Sequence, residues 1–243
     1  MESRRRPGRS GQAQELIRLI HKTRLLALSI AMLLGAAVAH LSFAQVHTDT
    51  VHHRFQDGEH WAKIFESRER VEWQQPDKVV EAMKLEPGQT VIDIGAGTGF
   101  FTRRFARAIA PSGQAIGLDV EPDMVSYMKA DATKLGLKDY DARVVKPDDP
   151  ALAPHSADVI FFCDALHHID DRAAYLHKLI PALKPGGRVI DVDFKKEPLP
   201  VGPPPEHKLA RAVVIATFQD AGFRLLREHD FLKYQYFLEF VTK

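Results

Sequence analysis

The sequence contains a single cysteine, Cys163, among its 243 residues. One cysteine cannot form an internal disulfide, so no such bond stabilises the fold. No internal repeat is present. The one low-complexity stretch, residues 195–205, holds five prolines and one glycine, and we expect it to form an extended loop.

An excess of positive charge is also missing. Lys and Arg number 33 and Asp and Glu 32, for a formal net charge of +1. Seven of the basic and two of the acidic residues lie in the first 44 residues, which leaves 26 basic against 30 acidic residues, or −4, in the remainder. A mildly acidic domain lacks the electrostatic footprint of a protein that binds duplex DNA or structured RNA. We therefore expect no nucleic-acid partner.

The first 44 residues differ in composition from the rest. Seven basic residues lead into a charge-free run over residues 25–39, and small side chains follow at Ser42 and Ala44. This layout is typical of a secretory signal peptide. As a helix, the uncharged stretch 25–44 would be about 30 Å long, enough for an uncleaved membrane anchor. Both cases predict a periplasmic, extracellular or membrane-anchored domain, and a cytoplasmic protein with a misassigned start is the alternative.

Residues 45–75 separate this leader from the main domain, residues 76–243. Residues 45–57 are polar and rich in histidine, which predicts a linker. Residues 59–72 place Trp61 and Phe65 at helical spacing and predict one helix. These two aromatics and Trp73 are candidates for a lid over a ligand, with plain packing as the alternative.

The main domain alternates strand and helix patterns. Strands are predicted over residues 90–94, 115–119, 141–146, 158–163, 187–194, 223–228 and 234–242, with helices over 99–110, 123–135, 171–183 and 207–222. This alternation indicates a parallel sheet with right-handed crossovers. The predicted fold class is α/β: a doubly wound, mostly parallel sheet of seven strands, with helices on both faces and an antiparallel last strand.

The most specific motif joins the first of these strands to the helix that follows. Residues 93–99 read Asp-Ile-Gly-Ala-Gly-Thr-Gly. Gly95, Ala96, Gly97 and Gly99 predict a loop that a ligand can approach closely, with free amide groups at the positive end of a helix. Asp93 precedes the first glycine by two residues, and would repel a pyrophosphate but attract an ammonium group. The glycine spacing also differs from that of a dinucleotide fingerprint.

A second acid follows at the end of the next strand. Asp119 lies 24 residues after Gly95. In a doubly wound sheet, an acid at this position accepts hydrogen bonds from the two hydroxyls of a ribose. The following residue, Val120, is a candidate to pack against an adenine ring.

These residues resemble the class I, Rossmann-like superfamily of S-adenosylmethionine-dependent methyltransferases, and in particular its small single-domain group with ubiquinone- and sterol-type enzymes. The resemblance covers residues 76–222, including the strand-four segment 158–164 and the Leu-Lys-Pro-Gly-Gly turn at 183–187. It implies that S-adenosylmethionine is held by the glycine loop, Asp119 and Asp164. It also implies a small-molecule or lipid-like methyl acceptor.

One segment departs from that family's pattern. The resemblance implies an Asp after the third strand that meets the adenine amino group, often within a Gly-Asp pair. Residues 145–150 here read Val-Lys-Pro-Asp-Asp-Pro, so Asp148 and Asp149 are both candidates. Relatives that methylate arsenite use several cysteines, and the lone Cys163 therefore disfavours that acceptor.

Two histidines follow the fourth strand, at the edge where open α/β sheets hold their ligands. His167 or His168 is a candidate general base, since histidine exchanges a proton near neutral pH. The alternative is that one histidine packs under the loop while Asp170 or Asp171 caps the next helix. No metal site is expected. Further candidates for contact with the acceptor, unless they are merely solvated, are Asp193, Lys195, Lys196 and His207.

Two other functions stay open at this point. A non-catalytic module that binds S-adenosylmethionine or its demethylated product would need the same cofactor residues, so only turnover separates it from an enzyme. An oxidoreductase that uses NAD or FAD is disfavoured by the glycine spacing and by the acid before the glycines.

Overall fold

The structure, a computed structural model, describes residues 57–243. The predictions for the leader over residues 1–44, and for all but the last residue of the linker, lie outside the described residues. Within residues 57–243, no helix combines the length and the apolar character that crossing a membrane requires.

Seven strands form one mixed sheet. They are β1 (Thr90–Ile94), β2 (Gln114–Asp119), β3 (Tyr140–Val144), β4 (Ala157–Cys163), β5 (Leu183–Phe194), β6 (Phe223–His229) and β7 (Gln235–Thr242). Their order across the sheet is β3-β2-β1-β4-β5-β7-β6. Neighbours from β3 to β5 run parallel, and β7 runs antiparallel to both β5 and β6. The predicted α/β sheet with an antiparallel last strand is confirmed.

Helices pack on both faces of this sheet. The α-helices of the described residues are α1 (Gly58–Phe65), α2 (Arg68–Gln74), α3 (Pro76–Met83), α4 (Thr102–Ala108), α5 (Pro122–Leu135), α6 (Arg172–Leu179) and α7 (Arg211–Asp220). Pro76 and Pro122 each stand at the start of a helix, where a missing N–H group leaves no hydrogen bond unmade. Short 3-10 turns lie at Leu166–His168, Ile180–Ala182 and Pro205–His207.

Strand β4 shows why both faces are covered. Its side chains are mostly apolar and alternate between two core layers. In one layer the Phe161 ring lies 5.0 Å, between centroids, from each of Phe101 and Phe105. In the other layer Phe162 lies 6.4 Å from Tyr175 of α6. A strand with apolar side chains in both directions needs a helix layer on each face.

The reversed strand β7 is anchored by an aromatic stack. Phe240 of β7 lies 3.8 Å from Phe218 of α7 between ring centroids, with the ring planes 2° apart. Both side chains are fully buried. The β6–β7 hairpin therefore holds its apolar face under α7 while β7 lies between β5 and β6.

The single helix predicted over residues 59–72 is wrong. The chain breaks at Glu66 and Ser67 into α1 and α2. Ser67 begins α2 because its backbone is extended (φ −62°, ψ 152°) and its hydroxyl accepts a hydrogen bond from Arg70 N at 3.2 Å. Ile64 is 48% exposed, so its helical spacing does not mark a core contact.

Three further boundaries differ from the prediction. Helix α4 begins at Thr102 and not at 99, because Gly97 and Gly99 have positive φ. Helix α7 begins at Arg211 and not at 207, because residues 208 and 210 are extended. Strand β5 begins at Leu183 and not at 187, and the Lys-Pro-Gly-Gly sequence lies opposite an irregularity in β4.

The parallel strands bring four loops to one edge of the sheet. Strands β1, β2, β4 and β5 end at Ile94, Asp119, Cys163 and Phe194. Because these strands share one direction, the loops that follow them lie side by side. This edge positions the residues that the sequence predicts for the site.

One acid lies inside the protein on the same face of β5 as the core residue Val189. Asp191 is fully buried, and its two carboxyl oxygens have no hydrogen-bond partner within residues 57–243. Burial, and then the carboxyls of Asp193 and Asp164, raises the pKa of Asp191 well above its ordinary value of 3.8. A pKa that is higher in the folded state means that stability is lost as the pH rises above the unfolded value.

We predict that Asp191→Asn raises the melting temperature at pH 7 by about 3–5 °C, because the amide is neutral in both states, whereas the acid, ionised when unfolded, must take up a proton on folding. At pH 4, near the unfolded pKa, variant and wild type should melt at nearly the same temperature. Thermal unfolding of the full-length chain at both pH values measures this, with Glu81→Gln as an exposed control. An equal shift at both pH values would contradict the role given to the Asp191 charge.

Candidate active site

The loop between β1 and α4 approaches its neighbours closely. At Gly95 (φ 70°) a Cβ atom would lie 2.6 Å from the Cβ of Ala165, which leaves no room for a side chain. At Gly97 (φ 55°) the nearest atom to such a Cβ would be a ring carbon of Phe65 at 3.7 Å. Gly95 is therefore needed for packing against the loop after β4, whereas Gly97 borders space that a bound group can occupy.

The amide groups of this loop correct a prediction. The sequence predicts free N–H groups, but several of them donate within the protein. Gly95 N and Ala96 N donate to Leu118 O, at 2.8 and 3.0 Å. Gly97 N donates to a carboxylate oxygen of Asp119 at 2.8 Å. These amides fix the loop to the end of β2, so a ligand at the loop must also be held by side chains.

Asp93 lies beneath the loop and not on its surface. Its carboxylate accepts a hydrogen bond from Thr102 Oγ1 at 2.6 Å and joins β1 to the first turn of α4. Burial raises the pKa of Asp93 to about 7, and the hydrogen bond from Thr102 opposes that rise. The geometry therefore gives Asp93 a supporting place, and its predicted contact with an ammonium group stays a prediction.

Asp119 closes the other side of the loop. One carboxylate oxygen accepts from Gly97 N and the other from Glu121 N, at 2.8 and 3.0 Å. Burial raises the pKa of Asp119, and these backbone hydrogen bonds counter the rise. Beside it, Val120 is 46% exposed and Val144, on the neighbouring strand, is 52% exposed. An acid with exposed apolar side chains beside it suits a ribose and a flat ring.

The two acids after β3 lie in an exposed turn. Lys146 and Asp149 form an isolated bridge, and the Asp149 carboxylate accepts from Ala151 N at 2.9 Å. The backbone carbonyl of Asp148 accepts from Lys178 Nζ at 2.6 Å, which leaves the exposed Asp148 side chain as the freer candidate. A contact between either acid and an adenine stays a prediction.

Asp164 stands at the end of β4 in the left-handed region, with φ 55°. Its carboxylate accepts from Gln235 Nε2 at 2.7 Å and from Gln74 Nε2 at 3.3 Å. The Arg70 guanidinium lies 3.6 Å from it, and both side chains keep some exposure, 17% for Arg70 and 19% for Asp164. Burial raises the pKa of Asp164 to about 6, with a further rise from Asp193 and an opposing effect of Arg70.

The two predicted histidines have different surroundings. His167 is buried, and its Nδ1 lies 2.8 Å from a carboxylate oxygen of Asp193. His168 is more exposed, and its ring lies 4.2 Å from that of His167 between centroids. Asp171 accepts from Ala174 N at 3.1 Å and caps α6, as one alternative predicted.

The sequence analysis missed Arg70, Gln74 and Gln235. Arg70 donates to Phe65 O at 3.0 Å and to Gln74 Oε1 at 2.6 Å, and its guanidinium lies 4.8 Å from the Phe100 ring centroid. The available signal was the four-residue spacing of Arg70 and Gln74, which places both on one face of a helix.

Helix α1 lies over the glycine loop. The Phe65 ring borders Gly97, and Trp61 stacks on Phe65 at 5.2 Å between centroids. Below it, Arg103 of α4 makes a two-pronged pair with Glu66, at 2.5 and 2.7 Å. Two of the predicted lid residues, Trp61 and Phe65, therefore lie beside the glycine loop at this edge of the sheet.

Trp73 lies at the other side, against the proline-rich loop. Its ring centroid is 5.5 Å from that of Phe194 and 6.3 Å from that of Tyr234. A groove of about 450 Å³ opens there, with a wall formed by Pro200 and Val201. The structure separates the predicted lid aromatics into two groups, one at each end of the site.

The polar candidates around the proline-rich loop also separate. Asp193 is buried against His167. Lys195 Nζ donates to Leu232 O and Lys233 O at 3.1 and 3.0 Å, so it ties the loop to the chain before β7. Lys196 and His207 are exposed. Within residues 57–243, no three potential metal ligands come together.

Comparison with known proteins places this arrangement in a family. Residues 85–219, more than half of the chain, match the family described as a methyltransferase domain. The ubiquinone/menaquinone biosynthesis C-methyltransferase UbiE of Pasteurella multocida is 28% identical over 119 residues, 48% of this chain and 44% of that protein. Phosphoethanolamine N-methyltransferase 1 of Arabidopsis thaliana is 32% identical over 119 residues, 49% of this chain and 24% of that protein. The chain thus spans about half or less of these curated relatives.

Solved structures give the same result. A SAM dependent methyltransferase from Aquifex aeolicus superposes with a TM-score of 0.72 at 28% identity, over 77% of this chain and 99% of that one. Magnesium protoporphyrin IX methyltransferase of Synechocystis PCC 6803, with bound SAH, has a TM-score of 0.58 at 19% identity, over 76% and 93%. The latter supports the fold alone. With the glycine loop and Asp119 at one edge of the sheet, these matches show that the chain belongs to the methyltransferase domain family, among class I S-adenosylmethionine-dependent methyltransferases.

Proposed function

We propose that the chain transfers the methyl group of S-adenosylmethionine to a small-molecule acceptor. The observation that carries this proposal is the pairing of Gly97 N with Asp119 at the open edge of the sheet. S-adenosylmethionine supplies a methyl group that is already activated on a positively charged sulfur. The protein therefore has to bind it, orient it and place the acceptor in line, and positioning can supply about 7–11 kcal/mol of the barrier.

The described residues fit this cofactor. Gly97 borders a space in which part of the cofactor can lie, and the carboxylate oxygens of Asp119 can accept hydrogen bonds from the ribose hydroxyls. Val120 and Val144 offer an exposed apolar edge to the adenine. We assign the two charges of the methionine end to the adjacent pair Arg70 and Asp164, the guanidinium for the carboxylate and the carboxylate for the ammonium.

We place the acceptor next to β5, between the polar residues around the proline-rich loop, such as Asp193, and the groove beside Trp73. The groove beside Trp73 combines apolar walls, such as Pro200 and Val201, with charged side chains, such as Glu69 and Lys233. Trp73 also packs on Phe194, which follows the buried Asp193. By their names, the relatives given above are a C-methyltransferase of ubiquinone and menaquinone biosynthesis and an N-methyltransferase of phosphoethanolamine, which supports a small-molecule acceptor. An arsenite methyltransferase of Halobacterium salinarum also matches, at 28% identity over 105 residues. We favour an organic acceptor, which includes a lipid-like one, because this chain has one cysteine.

The leader supports a further part of the proposal. The charge-free stretch over residues 25–44 and the basic residues before it favour export or anchoring of the domain. A C-terminal fusion to an alkaline phosphatase, which is active only outside the cytoplasm, tests this with and without residues 1–44. Phosphatase activity that does not depend on the leader would contradict export.

We predict that Asp119→Asn weakens binding of S-adenosylmethionine by about 10- to 100-fold, because a charged acceptor for the ribose hydroxyls is lost. Isothermal titration of the full-length chain with S-adenosylmethionine and S-adenosylhomocysteine measures this. Asp220→Asn, at an exposed position of α7, is the matched control. A folded wild-type chain that binds neither compound would contradict the proposed function, and binding without formation of S-adenosylhomocysteine from any acceptor would favour the non-catalytic alternative.

A glycine pair separates cofactor space from backbone strain. Gly97 and Gly136 have φ 55° and 65°, and a Cβ at Gly136 would contact nothing within 4 Å. Both Gly97→Ala and Gly136→Ala should therefore lose about 1–2 kcal/mol of stability, the cost of alanine in the left-handed region. Only Gly97→Ala should also weaken S-adenosylmethionine binding, by about 10-fold or more, because its methyl group enters the cofactor space. Equal affinities in the two variants would place the cofactor elsewhere.

A further inference from the structure

The buried pair His167 and Asp193 is held from several directions. One Asp193 oxygen lies 2.8 Å from His167 Nδ1, and the other accepts from Phe194 N at 2.7 Å. The backbone on the histidine side is also fixed, since Arg172 donates to the carbonyl oxygens of Leu166 and His167, each at 3.2 Å. The imidazole and the carboxylate thus have little freedom to move apart.

The pair also sets which ring nitrogen carries the proton. A carboxylate only accepts hydrogen bonds, so the short contact requires a proton on His167 Nδ1. In a neutral imidazole the other nitrogen, Nε2, then has a free lone pair. That is the state of a base that is ready to take up a proton.

The pair lies between the two halves of the site. The segment that carries His167 begins at Asp164, and its Ala165 packs against Gly95 of the cofactor loop. Asp193 precedes Phe194, whose ring packs on Trp73 at the groove. A group seated between the glycine loop and this groove would therefore meet the loop that bears His167.

We infer that His167 is the general base for the methyl acceptor and that Asp193 is its positioning residue, so that the acceptor has a proton on its nucleophilic oxygen or nitrogen. The inference rests on the proposed function. His167 Nε2 takes this proton while the lone pair of the oxygen or nitrogen forms a bond to the methyl carbon. The electron pair of the broken carbon–sulfur bond stays on sulfur, which becomes a neutral thioether.

The charges around His167 determine the pH at which this base is free. Burial lowers the pKa of His167, but the carboxylates of Asp193 and Asp164 outweigh it and the net pKa is raised above 6.5. Arg172 acts in the opposite direction. The charged or titratable groups that act on the ring or contact it are Asp164, His168, Arg172 and Asp193. Asp191 and Tyr236 lie behind them and interact with Asp164 and Asp193. Because a base must be neutral, turnover should rise with pH through the raised pKa of His167.

The first test needs no acceptor. Long-range ¹H–¹⁵N correlation spectra of the full-length chain, labelled on histidine, report the tautomer and the titration of His167. We expect the Nδ1–H tautomer at high pH in wild type, and a titration midpoint that is lower by about one pH unit or more in Asp193→Asn, which lacks the negative charge. An Nε2–H tautomer in wild type, or an unchanged midpoint in Asp193→Asn, would overturn the inference.

The second test follows turnover of chemically defined probes. These are 4-nitrocatechol and 2-phenylethylamine, which bear O–H and N–H groups, and thiophenol, which ionises without a base. For a probe with O–H or N–H that wild type methylates, His167→Gln should lower kcat by about 10²- to 10⁴-fold. In Asp193→Asn the acid limb of the pH profile should move to lower pH. His177→Gln, an exposed histidine of α6, is the control and should match wild type.

The outcomes separate this inference from the proposed function. Isothermal titration of His167→Gln with S-adenosylmethionine should give the wild-type affinity, whereas failure of wild type to bind would end the proposed function itself. Methylation of thiophenol alone, or a kcat that His167→Gln leaves unchanged, would overturn the base while the methyltransferase assignment stands. A lower kcat in Asp193→Asn with an unmoved acid limb would make Asp193 purely structural.

Discussion

The hydrogen bond from Gly97 N to Asp119 is the constraint on which the rest of the site depends. It joins the loop after β1 to the end of β2, and the neighbouring amides of Gly95 and Ala96 reinforce it through Leu118 O. Because these three amide groups already donate hydrogen bonds within the protein, the loop is held in place and has few backbone donors left for a ligand. Charged recognition must then come from side chains of other elements. Arg70 and Asp164, which lie 3.6 Å apart, are the pair that we propose for this recognition.

Asp164 links the two halves of the site. On one side it faces Arg70 of α2, and on the other its charge contributes to the field around His167. Gln74 and Gln235 hold its carboxylate from α2 and β7, so two elements distant in the chain determine one side chain's orientation. A change at any of these elements would therefore affect the cofactor side and the acceptor side together.

Much of the fold followed from local sequence, because strands and glycine turns are defined by residues close together in the chain. The seven strands, the loop at 93–99 and Asp119 belong to this group. The break at Ser67 could not be predicted, since a serine in the sequence can lie inside a helix or cap its first turn, and only the backbone conformation distinguishes the two. The contacts of Arg70 and Gln235 with Asp164 could not be found from local pattern either, because Gln235 lies 71 residues from Asp164 and Arg70 lies 94 residues from it. The prediction of free loop amides was wrong for a related reason: the motif at 93–99 does not reveal that the carbonyl of Leu118, on the neighbouring strand, accepts hydrogen bonds from two of these amides.

The distribution of buried acids shows which part of the site carries the energetic cost. Asp191 and Asp193 alternate along β5 and so face the same way, but only Asp193 has a hydrogen-bonded partner among the described residues. Asp193 shares its carboxyl group between His167 and Phe194 N, while the unpaired Asp191 is driven toward its neutral form by burial and by the carboxyls of Asp193 and Asp164. A neutral Asp191 adds no second negative charge beside the pair of Asp193 and His167. The stability given up at Asp191 is therefore the counterpart of keeping a second charge away from that pair, where the proposed chemistry takes place.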